Sequence, residues 1–435
     1  MTLNMKPFAA AQAWLARTAT AAASQARGTT TQSLSILGLA ICAGLSCAPI
    51  HAYAQDEFAH PVSYQFDGGP LGQLEGSAAI DGYFFAQSGA GNHSVIGPYA
   101  TGAKVDAWET EVGKTTGLLQ FDVQAAEYQD INLGTNAPKN INGNRFQTGP
   151  IRTVYVALAP TDGLKISVGQ LPSLEGYETV FAWNNPVALR SVIAGPENSN
   201  SKGIQADYTN GAFSGTALFS DGYDTNVFNY LQLSGTYKIN PSNEFTVVVG
   251  VPFGVVGPNA FAYGNGGLSS GGANGVGGQQ LLAEVNSNLI NAWYTWRDGN
   301  LRVVPEIQAQ YTPKLTQFAN QTSGGISDNI PKSTGYYASA LFLIYKFANT
   351  PYSISGWADY GSSYGSAPQD VWFTSPGAQL VGFAVAPAWK DNNLYARLNL
   401  GYSHLVNIGT PAAGYGISGT ARNTVIGLME FGFVF

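Results

Sequence analysis

From about residue 73 to residue 435 the chain breaks into segments that alternate apolar and polar residues, and the connections between them are short and long by turns. In LQLSGTYKI, Leu231, Leu233, Gly235, Tyr237 and Ile239 alternate with Gln232, Ser234, Thr236 and Lys238. In NLYARLNLGY, Leu394, Ala396, Leu398 and Leu400 alternate with Tyr395, Arg397 and Asn399, and EFTVVVGVPF and LRVVPEIQAQY repeat the pattern. Period two is the mark of a strand with one apolar and one polar face. Short polar turns fall near 114–116, 160–163, 210–211, 240–243, 298–300, 349–351 and 391–393. Long loops fall near 88–103, 130–147, 171–200, 221–229, 254–286, 312–335, 362–377 and 403–420. Seven short and eight long connections require sixteen strands, with both chain ends on the short-turn side.

A soluble sandwich can alternate in period two, but nothing in its physics makes every second connection long. A sheet in a bilayer has such a reason. No water there satisfies an open edge, so the sheet must close, and its outer face must be apolar. The expectation is an all-β, transmembrane antiparallel barrel of about 16 strands, within 14 to 18, with short periplasmic turns and long extracellular loops. Residues 104–113 and 336–348 fit it least, because neither face there is cleanly polar.

The chain ends agree with this reading. Lys6, Arg17 and Arg27 precede an apolar stretch from Leu34 to Ser46, and Ala52 and Ala54 flank Tyr53 as an A-x-A cleavage site. Residues 1–54 are read as a signal peptide cut after Ala54, 55–72 as a periplasmic extension and 73–435 as the barrel. Cys42 and Cys47 both lie in the removed part and lack a lipobox, so neither a disulfide nor a thiolate site holds the mature chain. At the other end, MEFGFVF puts Phe431, Phe433 and Phe435 on one face of the last strand, toward lipid, with Glu430 and Gly432 toward the lumen.

Charged residues make up only 11% of the chain, about half the usual share in soluble proteins. Removing the signal leaves 17 basic against 27 acidic residues, a balance with no basic stripe for nucleic acid. If the apolar faces meet lipid, the opposite faces line a lumen, and its charges become selectivity candidates. The acids Glu75, Asp81, Glu109, Glu111 and Asp122 come from the first three strands, with Glu430 beside them on closure. The bases Lys165, Lys238, Arg297, Arg302, Lys390 and Arg397 come from other walls, so a transverse field is expected. Taken singly, each charge is also well explained as a solvated lumen side chain.

Residues 166–178, ISVGQLPSLEGYE, with NNPVALRS at 184–191 and LFSDGYD at 218–224, resemble the OmpL-like family of β-barrel porins. Gln170 stands where that family often has Lys. The resemblance implies a passive channel for small hydrophilic solutes in the outer membrane of a Gram-negative cell, without catalytic residues or cofactor. It also implies that loop 171–200, with Glu175, Glu178, Arg190 and Glu197, folds inward as a constriction, taking Phe181 and Trp183 with it. The aromatic C-terminus resembles the signal read by the barrel-assembly machinery, although Glu430 stands where that signal often has Gly. Outer-membrane lipid and lipopolysaccharide are the expected surroundings, and a homotrimer follows by analogy with barrels of this size.

Catalytic and metal signals are poor. GSSYG at 361–365 matches G-x-S-x-G but has no helix behind it, and GKT at 113–115 has Trp108 where a phosphate-binding loop needs its first Gly. His60, His93 and His404 lack ligand spacing. A porin with a mild cation preference is therefore expected. A surface barrel that binds through its loops, as an adhesin or receptor with a blocked lumen, is the alternative, and a barrel enzyme using Ser363 or His404 comes last.

Overall fold

The computed structural model describes residues 63–435 except 130, 135–149, 224, 258–279, 318–321, 324–325, 328–329 and 366–371. All of these belong to one compact unit, Leu45–Phe435. The signal segment and cleavage site at 1–54, and most of the Gly-rich loop 254–286, lie outside the described residues.

The strands run in chain order. They begin with β1 (Tyr64–Asp67), β2 (Gln73–Gln87), β3 (Thr101–Lys114), β4 (Leu119–Glu127), β5 (Ile151–Thr161), β6 (Leu164–Pro172) and β7 (Asn200–Asn210). Next come β8 (Phe213–Ser220), β9 (Tyr230–Asn240), β10 (Asn243–Pro252), β11 (Asn288–Asp298), β12 (Leu301–Thr312) and the two-residue strands β13 (Thr322–Ser323) and β14 (Ile326–Ser327). The series ends with β15 (Thr334–Lys346), β16 (Tyr352–Tyr364), β17 (Gln379–Asp391), β18 (Leu394–Asn407) and β19 (Asn423–Val434). Each barrel strand pairs antiparallel with the next, β12 passing over the small β13–β14 hairpin to β15, and β19 returns to β2 with Phe433 opposite Ile80. The result is a closed barrel of 16 antiparallel strands, β2–β12 and β15–β19. Closure leaves no edge with unpaired backbone groups.

The seam uses both chain ends. Phe435 exchanges backbone hydrogen bonds with Ala78 at 2.5 and 2.8 Å, and beyond it β1 takes the same edge of β2, with Tyr64 opposite Gly76. Part of the stretch read as an extension thus continues the last strand in line, and the rings of Tyr64 and Phe435 meet edge to face at 6.3 Å.

Outward positions are apolar and exposed, for example Ile80, Phe84, Val156, Ile204, Leu233, Ile290, Leu343, Phe383 and Val425. Their neighbours in sequence point in and are buried. The two stretches with unclear faces have separate causes. In β3 the register slips at Asp106, so that Asp81 pairs with Ala107 and Gly82 with Val105. This bulge moves the outward set from Ala103 and Val105 to Thr110 and Val112 and turns Asp106 inward. In β15 the register is regular, yet Tyr336, Ala338, Ala340, Phe342 and Ile344 are buried inside while Tyr337, Leu341 and Leu343 face out. That strand is apolar on both faces because its inner face also packs against protein.

Strand β18 extends to Asn407, so His404 sits in a strand and not in the loop expected from 403 onward.

Candidate functional site

What packs against the inner face of β15 is the connection between β6 and β7, residues 173–199. It does not stay at the rim. The Tyr177 ring meets Phe342 at a tilt, centroids 5.0 Å apart, and Val187, Leu189, Val192 and Ile193 are almost fully buried in one cluster with Trp293, Val304, Tyr336 and Trp357. Phe181 and Trp183 are buried too, their rings parallel and 4.8 Å apart.

A chain segment inside a barrel brings backbone groups that need partners. The far wall supplies them from side chains. Tyr177 N–H donates to Glu306 Oε1 at 3.0 Å, Ala188 N–H to Asn399 Oδ1 at 2.9 Å and Val192 N–H to Asp359 Oδ2 at 2.7 Å. In return Trp357 Nε1 donates to Leu189 O at 2.8 Å, Gln308 Nε2 to Ile193 O at 3.2 Å and Gln310 Nε2 to Pro196 O at 3.2 Å. Arg397 donates to Ala182 O at 2.9 Å and also to Asn185 O. The residues just after β4 join in, with Arg190 N–H donating to Ile131 O and Leu133 N–H to Arg190 O. The loop is thus held across the lumen by β12, β16 and β18.

The four expected loop charges are all buried and lie in or near this crossing. Arg190 pairs with Glu197 at 3.5 Å. Glu178 accepts from Ser191 N–H at 3.0 Å and from the Ser191 hydroxyl. Glu175 accepts from Asn198 N–H at 2.9 Å and Gln232 Nε2 at 2.5 Å. Burial pushes the Glu175 carboxyl up to about 8 and that of Glu178 up to about 7, the latter restrained by Arg190 and Ser191. Burial likewise holds Glu197 well above the ordinary range, and the nearby Glu306 carboxylate adds to the effect.

The wall charges fall into distinct groups. Glu109 and Glu111 share the amide of Gln124 at 2.9 and 3.0 Å, and Asp122 accepts from Thr153 at 3.2 Å. Asp81 and Glu430 are joined by the Tyr395 hydroxyl at 3.0 and 2.8 Å. Glu75 is at the short-turn rim, where Thr115 donates to it at 3.1 Å. Lys165 pairs with Asp207 at 3.6 Å. Lys238 is half-buried on β9, Lys390 lies on the inward register of β17, and Arg297 and Arg302 are directly opposite each other on β11 and β12. Arg397 does not belong to a basic wall facing an acidic one. It is fully buried and bonded through Nε and Nη2 to Glu430 on the neighbouring strand, at 2.8 and 2.7 Å. A buried guanidinium needs a close carboxylate, and the adjacent strand supplies it.

One charge escaped the alternation. Arg152 has lipid-facing parity in IRTVYVALA, but a slip between Gln124 and Ala125 leaves it unpaired opposite β4. The bulge turns it inward, where it donates to Gln124 Oε1 at 2.7 Å and Ser199 O at 3.3 Å and lies 5.2 Å from the Phe181 ring centre. A charge at a lipid-facing position is the sequence signal that would have found it.

Between the loop and the wall from β4 to β11 a cavity of about 670 Å³ remains. It runs from the short turns at Thr115–Leu118 and Pro160–Gly163 to Ser173, Glu175 and Ser199 of the loop. Among the described residues that line it there is no histidine. Ser363 donates to Ser375 O and Ala378 O, while His404 contacts Asn423 in an exposed position. Among the described residues no His, Cys, Asp and Glu group is arranged to hold a metal ion.

A closed sixteen-stranded barrel with an apolar exterior and a long loop folded inside defines the class of outer-membrane porin-like barrels. The chain belongs to the family described as "Putative beta-barrel porin-2, OmpL-like", whose profile matches residues 73–435. Among solved structures it is similar to the anion-selective porin from Comamonas acidovorans, with 11% identity, 83% of this chain and 99% of that one covered, and a TM-score of 0.53. It is also similar to OmpF of Salmonella typhi in complex with daunomycin (11% identity, coverage 86% and 100%, TM-score 0.50). In-vitro folded OmpT of Vibrio cholerae matches with 9% identity, coverage of 84% and 98% and a TM-score of 0.50. At these identities the likeness is one of fold. No curated protein sequence matches the chain.

Proposed function

We propose that the protein is a diffusion porin through which small hydrophilic solutes cross the outer membrane, and that residues 173–199 form its constriction. The observation that carries this reading is the division of the lumen. The loop seals one half with an apolar cluster and leaves the polar half, beside β4 to β11, as a cavity reaching the short-turn end. Residues 1–54 fit an export signal removed after Ala54, and the C-terminal Phe431, Phe433 and Phe435, all on the exposed face, fit recognition by the barrel-assembly machinery. Trimers are the assembly that the family analogy favours.

The acids gathered on β2 to β4 give the lumen a mild preference for cations. The preference stays mild because Arg152 sits against that wall and Lys165 and Arg190 are paired. The test is planar-bilayer recording of the refolded chain under a salt gradient. Step-like conductance with a small cation-favouring reversal potential is expected. A folded barrel that stays silent would transfer the assignment to a surface receptor with a plugged lumen.

A further inference from the structure

Strand register places the cavity's side chains in rungs across the wall. One rung runs Thr209, Ser214, Thr236, Thr246 and Trp293 over β7 to β11, each residue directly opposite the next. Thr209 donates to Ser214 at 3.1 Å, and the hydroxyls of Thr236 and Thr246 are 2.9 Å apart. The next rung toward the loop runs Asp207, Thr216 and Ser234. There Thr216 donates to Asp207 at 2.8 Å, and Lys165 balances that carboxylate at 3.6 Å. All of these residues line the cavity.

Two of the polar atoms beside these rungs stand out. Trp293 Nε1–H, on a residue 4% exposed, has no partner among the described residues, and neither has Gln205 Oε1, whose amide nitrogen is already spent on Asp207 at 2.9 Å. Buried unmet donors and acceptors beside an open cavity are places for a ligand's hydrogen bonds. Within the rungs the one carboxylate, Asp207, is balanced by Lys165, so an ion gains little from the rungs themselves. A solute that both donates and accepts at several points exchanges its water for hydroxyls one rung at a time.

We propose, resting on the porin reading, that this hydroxyl ladder makes the open half of the lumen a track for small neutral polyhydroxylated solutes of the sugar and polyol class. Trp293, at one end of a rung, has its ring packed in the apolar cluster and borders the cavity with its unpartnered Nε1–H. Glu175 strengthens the case. Burial raises its carboxyl to about 8, which lessens the negative charge at the top of the cavity.

The experiment is swelling of vesicles carrying the protein, with a pentose compared to glycylglycine, a zwitterion of similar size, and conductance recorded on the same preparation. The native chain is expected to admit the pentose faster than glycylglycine. In the S214A/T216V/S234A variant, which removes three hydroxyls with little change in side-chain volume, that ratio should fall about threefold to tenfold while salt conductance persists. Equal rates for the two solutes, or a ratio unchanged in the variant, with conductance intact, would overturn the sugar assignment and leave the porin standing. Absence of both conductance and swelling would overturn both.

Discussion

Replacing Arg397 by Met should release the loop. In the structure this guanidinium is completely buried, holds both oxygens of Glu430, and donates to the carbonyls of Ala182 and Asn185 in the loop. Removing one partner of a buried ion pair typically costs about 3–5 kcal/mol, because the other charge stays buried and unmatched. Each loop carbonyl left without a donor adds about 1–3 kcal/mol unless water enters. Water entry at the freed groups is the way to relieve that penalty. Unfolding in urea, followed by the mobility of unheated barrel on gels, should show a lower midpoint for R397M. Single-channel recordings should show larger and noisier steps. Adding E430Q removes the orphaned charge, so the double variant R397M/E430Q should regain part of the stability but not the loop's anchorage. A variant R397M with native stability and native conductance would refute the idea that this residue latches the loop.

The buried loop acids make a pH prediction. Their pKa values are raised in the folded state, so folding favours the protonated form; the stability they contribute is full below the ordinary value near 4.5 and falls as pH rises to about 8 for Glu175 and about 7 for Glu178. Channel noise should increase over that window, and the E175Q variant should narrow the change; noise independent of pH in the native chain would contradict it. Gly176 has φ of +81°, and a Cβ there would strike the Glu197 carboxylate, so G176A should cost about 1–2 kcal/mol or more and disturb the Arg190–Glu197 pair, read as a lower urea midpoint. Deleting Phe435 removes the backbone pair to Ala78 and the ring against Tyr64. Less folded barrel in outer-membrane fractions is expected, and unchanged yield would argue against a role for this end in assembly.

Most of the barrel was legible because a bilayer imposes one rule on every outward side chain. Positions such as Leu231, Leu233 and Ile239 alternate without exception, and the seven short turns mark the strand ends. The rule failed where a strand bulges, at Asp106 and Arg152, since one extra residue reverses the parity of everything after it. It was also obscured on β15, where a second apolar face serves the loop and not lipid. The loop's partners could not be read at all. Asp359, Asn399 and Arg397 lie 167 to 215 residues from the backbone groups they hold, and no local pattern encodes such a pairing. Glu430 and Arg397 were recognisable as lumen residues, but their mutual bond depends on the register of β18 against β19.

The claim that solutes pass with the loop still seated can be tested by fixing the loop in place. Both native cysteines, Cys42 and Cys47, fall within the segment read as the signal, so a designed pair would be alone in the mature chain. Val192 and Gly361 suit it, since a Cβ added at Gly361 would lie 3.0 Å from Val192 Cγ1. Conductance of the V192C/G361C variant should be the same oxidised and reduced. A channel that closes on oxidation and reopens on reduction would mean that the loop must leave the lumen for anything to pass, and would contradict a constriction that works where it stands.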